Sequence, residues 1–340
     1  MSSIATPIRT SMRAIVQDAY GSAAVFRSAR IARPQIAEEE VLIQVRAAGL
    51  GRGTWHLRTG QPYLLRILGF GLRAPKNRVP GLDVAGVVVG VGSAVTQFAP
   101  GDEVFGISRG SFAEYAAVRE DKLAHRPPNL TFAQAAVVPI SAGTALQALT
   151  EVGRISRGQR VLVIGASGGV GSYAGQLARV FESEVTAVCS TSKLGDVRSL
   201  GADHVLDYTS QDFADGTHRY DLILDIAGNA PLSRLRRALT PGGTLVIVGG
   251  EEGGRWTGGF GRSLRAPILS AFVPQRLTML ASKERASDQE RASNQEQLAA
   301  LMAAGTVTPS VDSTYPLDHV GEAMRRLEAG DVRGKIAITI

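Results

Sequence analysis

The chain has 340 residues, 44% of them apolar and 20% charged, the profile of a soluble globular protein with room for two domains of about 100–200 residues. Its apolar runs fall short of the roughly 18 residues a membrane-spanning helix needs. Even the greasy segment from Ala266 to Val273 is short and holds Pro267, so no membrane span is expected. The 37 Lys and Arg against 31 Asp and Glu leave a formal charge of +6; the basic residues are scattered without interleaved aromatics, which argues against nucleic-acid binding and for a solvated surface with one phosphate pocket.

A single cysteine, Cys189, excludes an internal disulfide and a cysteine-rich structural zinc site. The opening MSSIATPIRTSM lacks the basic start and apolar middle of a secretory signal. A disordered tail before Met12 and a cytoplasmic location are therefore expected.

From Arg13 to about Pro128, short alternating or apolar runs at Val41 to Val45, Val84 to Val91 and Phe112 to Val118 are separated by glycine-bearing turns, which predicts a β-rich domain. From about Leu130 the rhythm changes. Helical stretches lie within Phe132 to Val152, and strand-like RVLVI, EVTAVCS, YDLILD and TLVIV then alternate with helical segments, one of them through Leu235 to Leu239. Such βαβ units predict a doubly wound parallel sheet. Gln289 to Ala304 is expected to be helical and KIAITI, from Lys335, to be a closing strand. The first domain is thus expected to be discontinuous, residues 12–128 with 283–340, around a cofactor domain of residues 129–282. The stretch from Gly249 to Pro274, rich in Gly and Arg and then apolar, is expected to be a lid or a dimer contact rather than a membrane-touching helix.

Gly165-Ala166-Ser167-Gly168-Gly169-Val170-Gly171 stands between the strand RVLVI and a helix. Glycines permit the tight turn, and the helix N-terminus offers unpaired N–H groups to an anion, as a dinucleotide pyrophosphate requires. A glycine-rich turn alone is weak; the strands on either side give it weight. At the end of the next strand, Cys189-Ser190-Thr191-Ser192-Lys193 supplies no carboxylate against a 2′-phosphate, while hydroxyls and the Lys193 ammonium suit one. NADPH is the expected cofactor; Lys193 as a solvated helix-start lysine is the alternative.

The segment Gly158 to Arg179, with its Ala-Ser-Gly-Gly-x-Gly core, resembles the quinone oxidoreductase branch of the medium-chain dehydrogenases and reductases. Pro80 to Val95, PGDEVFG from Pro100 to Gly106, LGADHVLDY, YDLILDIAG and RGKIAITI fit the same family, so the resemblance runs from about Met12 to Ile340. It implies a GroES-like catalytic domain beside a Rossmann cofactor domain, and a homodimer. By position it puts the pyrophosphate on Ser167, Gly169 and Val170, with Gly168 and Gly171 of the same turn among the cofactor-binding residues, and the 2′-phosphate near Ser190, Lys193 and Tyr208. Thr144, Gly249, Gly250 and the Arg333 to Lys335 segment would lie near the cofactor.

Zinc-dependent relatives hold a catalytic ion with a thiolate, an imidazole and a third ligand; here those places read Gly51, Gly81-Leu82-Asp83 and Pro139-Ile140-Ser141, which cannot bind zinc with ordinary affinity. No metal is expected, and the five histidines stand singly. Without a Lewis acid, reduction of an electrophilic quinone or α,β-unsaturated carbonyl is less demanding than alcohol oxidation. Tyr63 is the candidate hydroxyl at the substrate cleft, with packing as its alternative, and His56 is a poorer candidate. Trp55, Tyr63 and Leu64 suit an apolar acceptor. Rival readings are an enoyl or 2-alkenal reductase of lipid or polyketide intermediates, and a non-catalytic NADPH-binding sensor.

Overall fold

The computed structural model describes residues 10–228, 230–250, 254–280 and 288–340. Strands β1 (Ser11–Val16) and β2 (Arg27–Ala32) form an antiparallel pair. The next strand, β3 (Glu40–Leu50), starts with the two-residue period read from the sequence: Val41, Ile43 and Val45 are buried while Leu42 and Gln44 are only half-buried, as a pleated strand with one covered face requires. Beyond Arg46 it is buried through Leu50, because both faces are then covered.

Helix α1 (Arg52–Thr59) follows, then β4 (Asp83–Val91), β5 (Glu103–Ile107), β6 (Tyr115–Arg119) and β7 (Leu123–His125). The expected strand over Phe112 to Val118 forms only from Tyr115. Phe112 and Ala113 are instead pinned beneath β1: Ile15 N–H donates to Phe112 O at 2.9 Å, and Ala14 bridges to Ala113.

Helices α2 (Phe132–Ala136) and α3 (Pro139–Gln147) open the second half. A capping box starts α2, Thr131 accepting from Gln134 N–H while the Gln134 side chain returns to Thr131, and Pro139 starts α3 where its missing N–H costs nothing. A second, all-parallel sheet then forms from β8 (Arg160–Ile164), β9 (Glu184–Cys189), β10 (His204–Asp207), β11 (Tyr220–Asp225), β12 (Leu239–Ile247) and β13 (Arg276–Met279). Its spatial order is β10-β9-β8-β11-β12-β13. The order reverses between β8 and β11, and the carboxyl ends of those two strands flank the crevice where such sheets bind ligands.

Helices α4 (Gly169–Val180), α5 (Leu194–Ser199), α6 (Leu232–Ala238) and α7 (Phe260–Ser270) connect these strands. The helix expected through Leu239 ends at Ala238, because Leu239 already begins β12. On α4, Tyr173, Ala174, Leu177 and Ala178 are buried against the sheet, each large side chain stabilising by roughly 1.5–3 kcal/mol. Finally α8 (Asp288–Ala303), β14 (Val311–Pro316), α9 (Val320–Ala329) and β15 (Lys335–Thr339) return to the first sheet, where β15 lies antiparallel to β3. The closing strand therefore forms as expected. The full order there is β14-β15-β3-β4-β5-β7, with β6 also paired to β3.

Candidate active site

A cleft of 520 Å³ lies between the two sheets. Its cofactor-side wall is built by the glycine turn. Gly165 has φ +88°, a left-handed conformation that favours glycine. A Cβ on Gly171 would stand 2.1 Å from the Gly165 carbonyl, so only glycine lets α4 approach β8 this closely. The first helical bond of α4 runs from Ser172 N–H to Gly168 O at 2.9 Å, which leaves the earlier N–H groups outside the helical ladder. Ser167, Gly168, Gly169 and Val170 line the cleft at that point, whereas Gly171 packs behind them and does not. Thr144, Gly249 and Gly250 also line it; a Cβ on Gly249 would sit 1.9 Å from Ile226 O, so that wall too depends on bare backbone.

Lys193 reaches the cleft, its ammonium donating to Gly330 O at 2.8 Å and Val332 O at 3.0 Å. One N–H of the three remains for a ligand. Ser190, Tyr208 and Arg333 are not among the lining residues. Ser190 stands at the end of β9, Tyr208 is exposed, and Arg333 pairs with Asp196 at 3.3 Å and donates to Ser192 O at 3.3 Å. Asp207, the carboxylate ending β10, is buried and accepts from both Thr191 Oγ1 at 2.6 Å and Thr209 Oγ1 at 2.8 Å. Those bonds hold its carboxyl below the usual range; it does not line the cleft. An amide-lined helix start, a phosphate-compatible rim with an ammonium and bare glycine walls fit a phosphorylated dinucleotide.

On the opposite wall lies the segment that carries Tyr63, the candidate hydroxyl. Pro62 and Leu65 line the cleft, and Tyr63 does not. Its ring packs edge-on against Trp256 with centroids 5.5 Å apart, beneath the Arg66 guanidinium at 4.5 Å. Hydrogen bonds from Tyr63 N–H to Arg255 O at 2.8 Å and from Leu64 N–H to Trp256 O at 3.1 Å make this segment a strap between the two halves of the molecule. His56, the poorer candidate, does line the cleft, with Nδ1 2.7 Å from Gln61 O. Thr54 lines it too. That residue is only 2% exposed.

The feature missed in the sequence lies at the cleft floor, where Asp83 at the start of β4 and Lys335 at the start of β15 form an ion pair with side chains only 3% and 4% exposed. Asp83 Oδ1 also accepts from Ile140 N–H at 2.7 Å, near the start of α3. Burial pushes the Asp83 carboxyl up, against the pull of Lys335, and burial also raises the Tyr173 hydroxyl, helped by the Asp83 charge. The signal was present as two opposite charges heading otherwise apolar strands. Among the described residues no cluster of three or more His, Cys, Asp or Glu is placed to hold a metal ion.

The strand order and the glycine turn at its reversal define a dinucleotide-binding α/β protein joined to a β-rich domain. Residues 37–128 match the alcohol dehydrogenase GroES-like domain and residues 200–338 the zinc-binding dehydrogenase family. The chain is 34% identical to an NADPH-dependent alkenal/one oxidoreductase of Arabidopsis thaliana chloroplasts, over 97% of this chain and 80% of that protein. It is 32% identical to a chloroplastic quinone-oxidoreductase homolog of Spinacia oleracea, over 96% and 98%. A mycobacterial protein solved in complex with NADPH superposes with a TM-score of 0.82 at 25% identity, over 97% of this chain and 100% of that one. The chain belongs to the medium-chain dehydrogenase/reductase superfamily, in its zinc-independent quinone oxidoreductase-like branch.

Proposed function

We propose that this protein is an NADPH-dependent reductase of quinones or α,β-unsaturated carbonyls. The observation that carries the proposal is the helix start at Gly168 to Val170, opening into a cleft whose far wall is the apolar Pro62, Leu65 and Leu82. When bound, the reduced dinucleotide supplies a hydride to the electrophilic carbon of the acceptor. The chain's own residues do the rest. Ser167, Gly168, Gly169 and Val170 hold the pyrophosphate, with Gly171 setting the approach of helix to strand. Lys193, with Ser190, Tyr208 and Arg333 at the rim, takes the 2′-phosphate, while Thr144, Gly249 and Gly250 bound the reacting end. Holding cofactor and acceptor together in a cleft closed by the strap at Tyr63 and Trp256 supplies orientation and excludes water. The proton that completes the reduction comes from solvent. Relatives named for alkenal/one and quinone reduction support the substrate class, and the NADPH complex supports the cofactor.

The test is binding and turnover of NADPH and NADH with a panel of quinones, enones and alcohols. NADPH is expected to be preferred at least tenfold. Lys193→Ala should remove most of that preference by weakening NADPH and leaving NADH within about threefold, because one charge-assisted hydrogen bond contributes roughly 1.5–3 kcal/mol; an unchanged preference would remove Lys193 from the phosphate site. Binding of NADPH without turnover of any acceptor would favour a sensor instead.

The same proposal divides the chain into a catalytic domain of residues 12–128 and 283–340 and a cofactor domain of residues 129–282, and places the protein in the cytoplasm as a homodimer. Support for the dimer comes from the edge of the parallel sheet at β13, which among the described residues pairs only with β12, and from the helix beside it. Leu264 and Ile268, one turn apart on α7, are 56% and 66% exposed, and Phe272 just beyond is 81% exposed. Contiguous apolar exposure of that kind marks an association surface. Leu264→Glu with Phe272→Glu should convert a dimer to a monomer in light scattering; a wild-type monomer at micromolar concentration would overturn the assignment. No helix among the described residues is long and apolar enough to cross a membrane.

A further inference from the structure

We propose that Lys335 is the catalytic electrophile: its buried ammonium donates a hydrogen bond to the acceptor's carbonyl oxygen, and Asp83 is the residue that positions it. This rests on the reductase function proposed above and names the group that meets the developing negative charge.

An ammonium carries three N–H donors, and a buried donor left unmatched is costly. Lys335 is 4% exposed and lines the cleft, yet among the described residues its only acceptor is Asp83 Oδ2. By contrast, the more exposed Lys193 has two carbonyl acceptors. Two donors of a buried cation are thus left for something that enters the cleft.

The stem of Lys335 is threaded past two glycines. A Cβ on Gly51 would lie 3.1 Å from Lys335 Cε, and one on Gly169 would lie 3.9 Å from Lys335 Cδ and 3.1 Å from Ser141 Oγ. Gly51 is the N-cap of α1, and Gly169 begins α4. The ammonium therefore stands between the helix start assigned to the pyrophosphate and the wall that carries Thr54 and Leu82. Asp83 is itself held by Ile140 N–H, so the ammonium cannot swing away.

In the step, the C4–H bond of the dihydronicotinamide breaks and a C–H bond forms at the β-carbon of an enone. The π electron pair moves to oxygen, the cofactor is oxidised by two electrons and the acceptor is reduced to an enolate. The enolate then takes one proton from water. Lys335 keeps its protons and stabilises the oxyanion through an N–H bond already in place, as preorganised donors do.

Two measurements test this, one without turnover. With NADP⁺ bound, 4-nitrophenol is expected to bind as the phenolate, visible by its absorbance, with its pKa lowered on the protein. The double variant Lys335→Met/Asp83→Asn, which leaves no lone buried carboxylate, should bind the phenolate at least thirtyfold more weakly. Asp83→Asn alone keeps the ammonium but removes the carboxylate that fixes it, so it should weaken phenolate binding by about three- to tenfold, less than the double variant does; binding unchanged in Asp83→Asn would remove the positioning role of Asp83. If the double variant does not fold, Lys335→Gln serves in its place. In single turnover with but-3-en-2-one, loss of Lys335 should slow NADPH oxidation about 100-fold, the effect of removing one oxyanion donor, while NADPH affinity stays within about threefold. Phenolate binding unchanged without Lys335, or a rate loss explained wholly by weaker NADPH binding, would overturn the proposal. A wild-type protein that turns over no acceptor would instead overturn the reductase function, and the phenolate comparison would still decide the role of Lys335.

Discussion

Gly171→Ala is expected to weaken NADPH binding at least tenfold and to destabilise the protein by about 2–3 kcal/mol, the upper range for overpacking a tight interior contact. The added methyl would stand 2.1 Å from Gly165 O and 2.7 Å from Ala166 Cα. Both obstacles are backbone, so no side chain can turn aside. Either α4 retreats from β8 or the turn opens, and each movement displaces the N–H groups of Gly169 and Val170 from the phosphate. Titration calorimetry with NADPH and urea unfolding measure the two effects. The comparison variant Gly195→Ala, at a glycine with nothing within 4 Å of its Cβ, should change neither by more than a few tenths of a kcal/mol. Near-normal NADPH affinity in Gly171→Ala would mean that the pyrophosphate sits elsewhere.

Arg262→Met should cost about 3–5 kcal/mol of folding stability, the usual consequence of leaving one member of a buried ion pair alone. Asp225 is fully buried at the end of β11, and Arg262 of α7 lies 2.5 Å from its carboxylate. The same guanidinium donates to Ala230 O at 2.6 Å and Gly249 O at 3.4 Å, so it ties α7 to the wall of the cofactor cleft. Burial pushes the Asp225 carboxyl up, and Arg262 opposes that push. Removing Arg262 raises it further, and a carboxyl whose folded pKa lies above its unfolded one favours folding increasingly as pH falls between the two values. The deficit of Arg262→Met should therefore shrink on acidification through the window above the ordinary carboxylate range and grow toward neutral pH. Urea midpoints for wild type and variant across that window check the sign; a deficit independent of pH would mean that Asp225 is not left charged and alone.

Features carried by local order were legible in the sequence. The glycine turn could be placed because RVLVI precedes it and an amphipathic helix follows, and KIAITI could be read as a strand from its run of β-branched residues. The helix α7 was not read as one. Pro267 interrupts it, and its neighbours Gly258, Gly259 and Gly261 weaken the 3.6-residue pattern, although its packing on β13 stabilises it regardless. Tyr63 was assigned to the cleft on its chemistry alone. Backbone bonds to Arg255 and Trp256 turned that segment into a strap and presented Pro62 and Leu65 instead. The Asp83–Lys335 pair spans 252 residues. No periodicity reaches that far, and only the pairing of β15 with β3, next to β4, brings the two charges together.

The proposed chemistry is tested most directly by following the hydride. The protein is mixed with but-3-en-2-one and NADPH deuterated at C4, in separate runs for each face of the ring, and the product is examined by mass spectrometry and NMR. One face is expected to deliver a single deuterium to the β-carbon, with one NADP⁺ formed per ketone. Bound NADPH that transfers no deuterium to this acceptor or to a simple quinone would contradict the account.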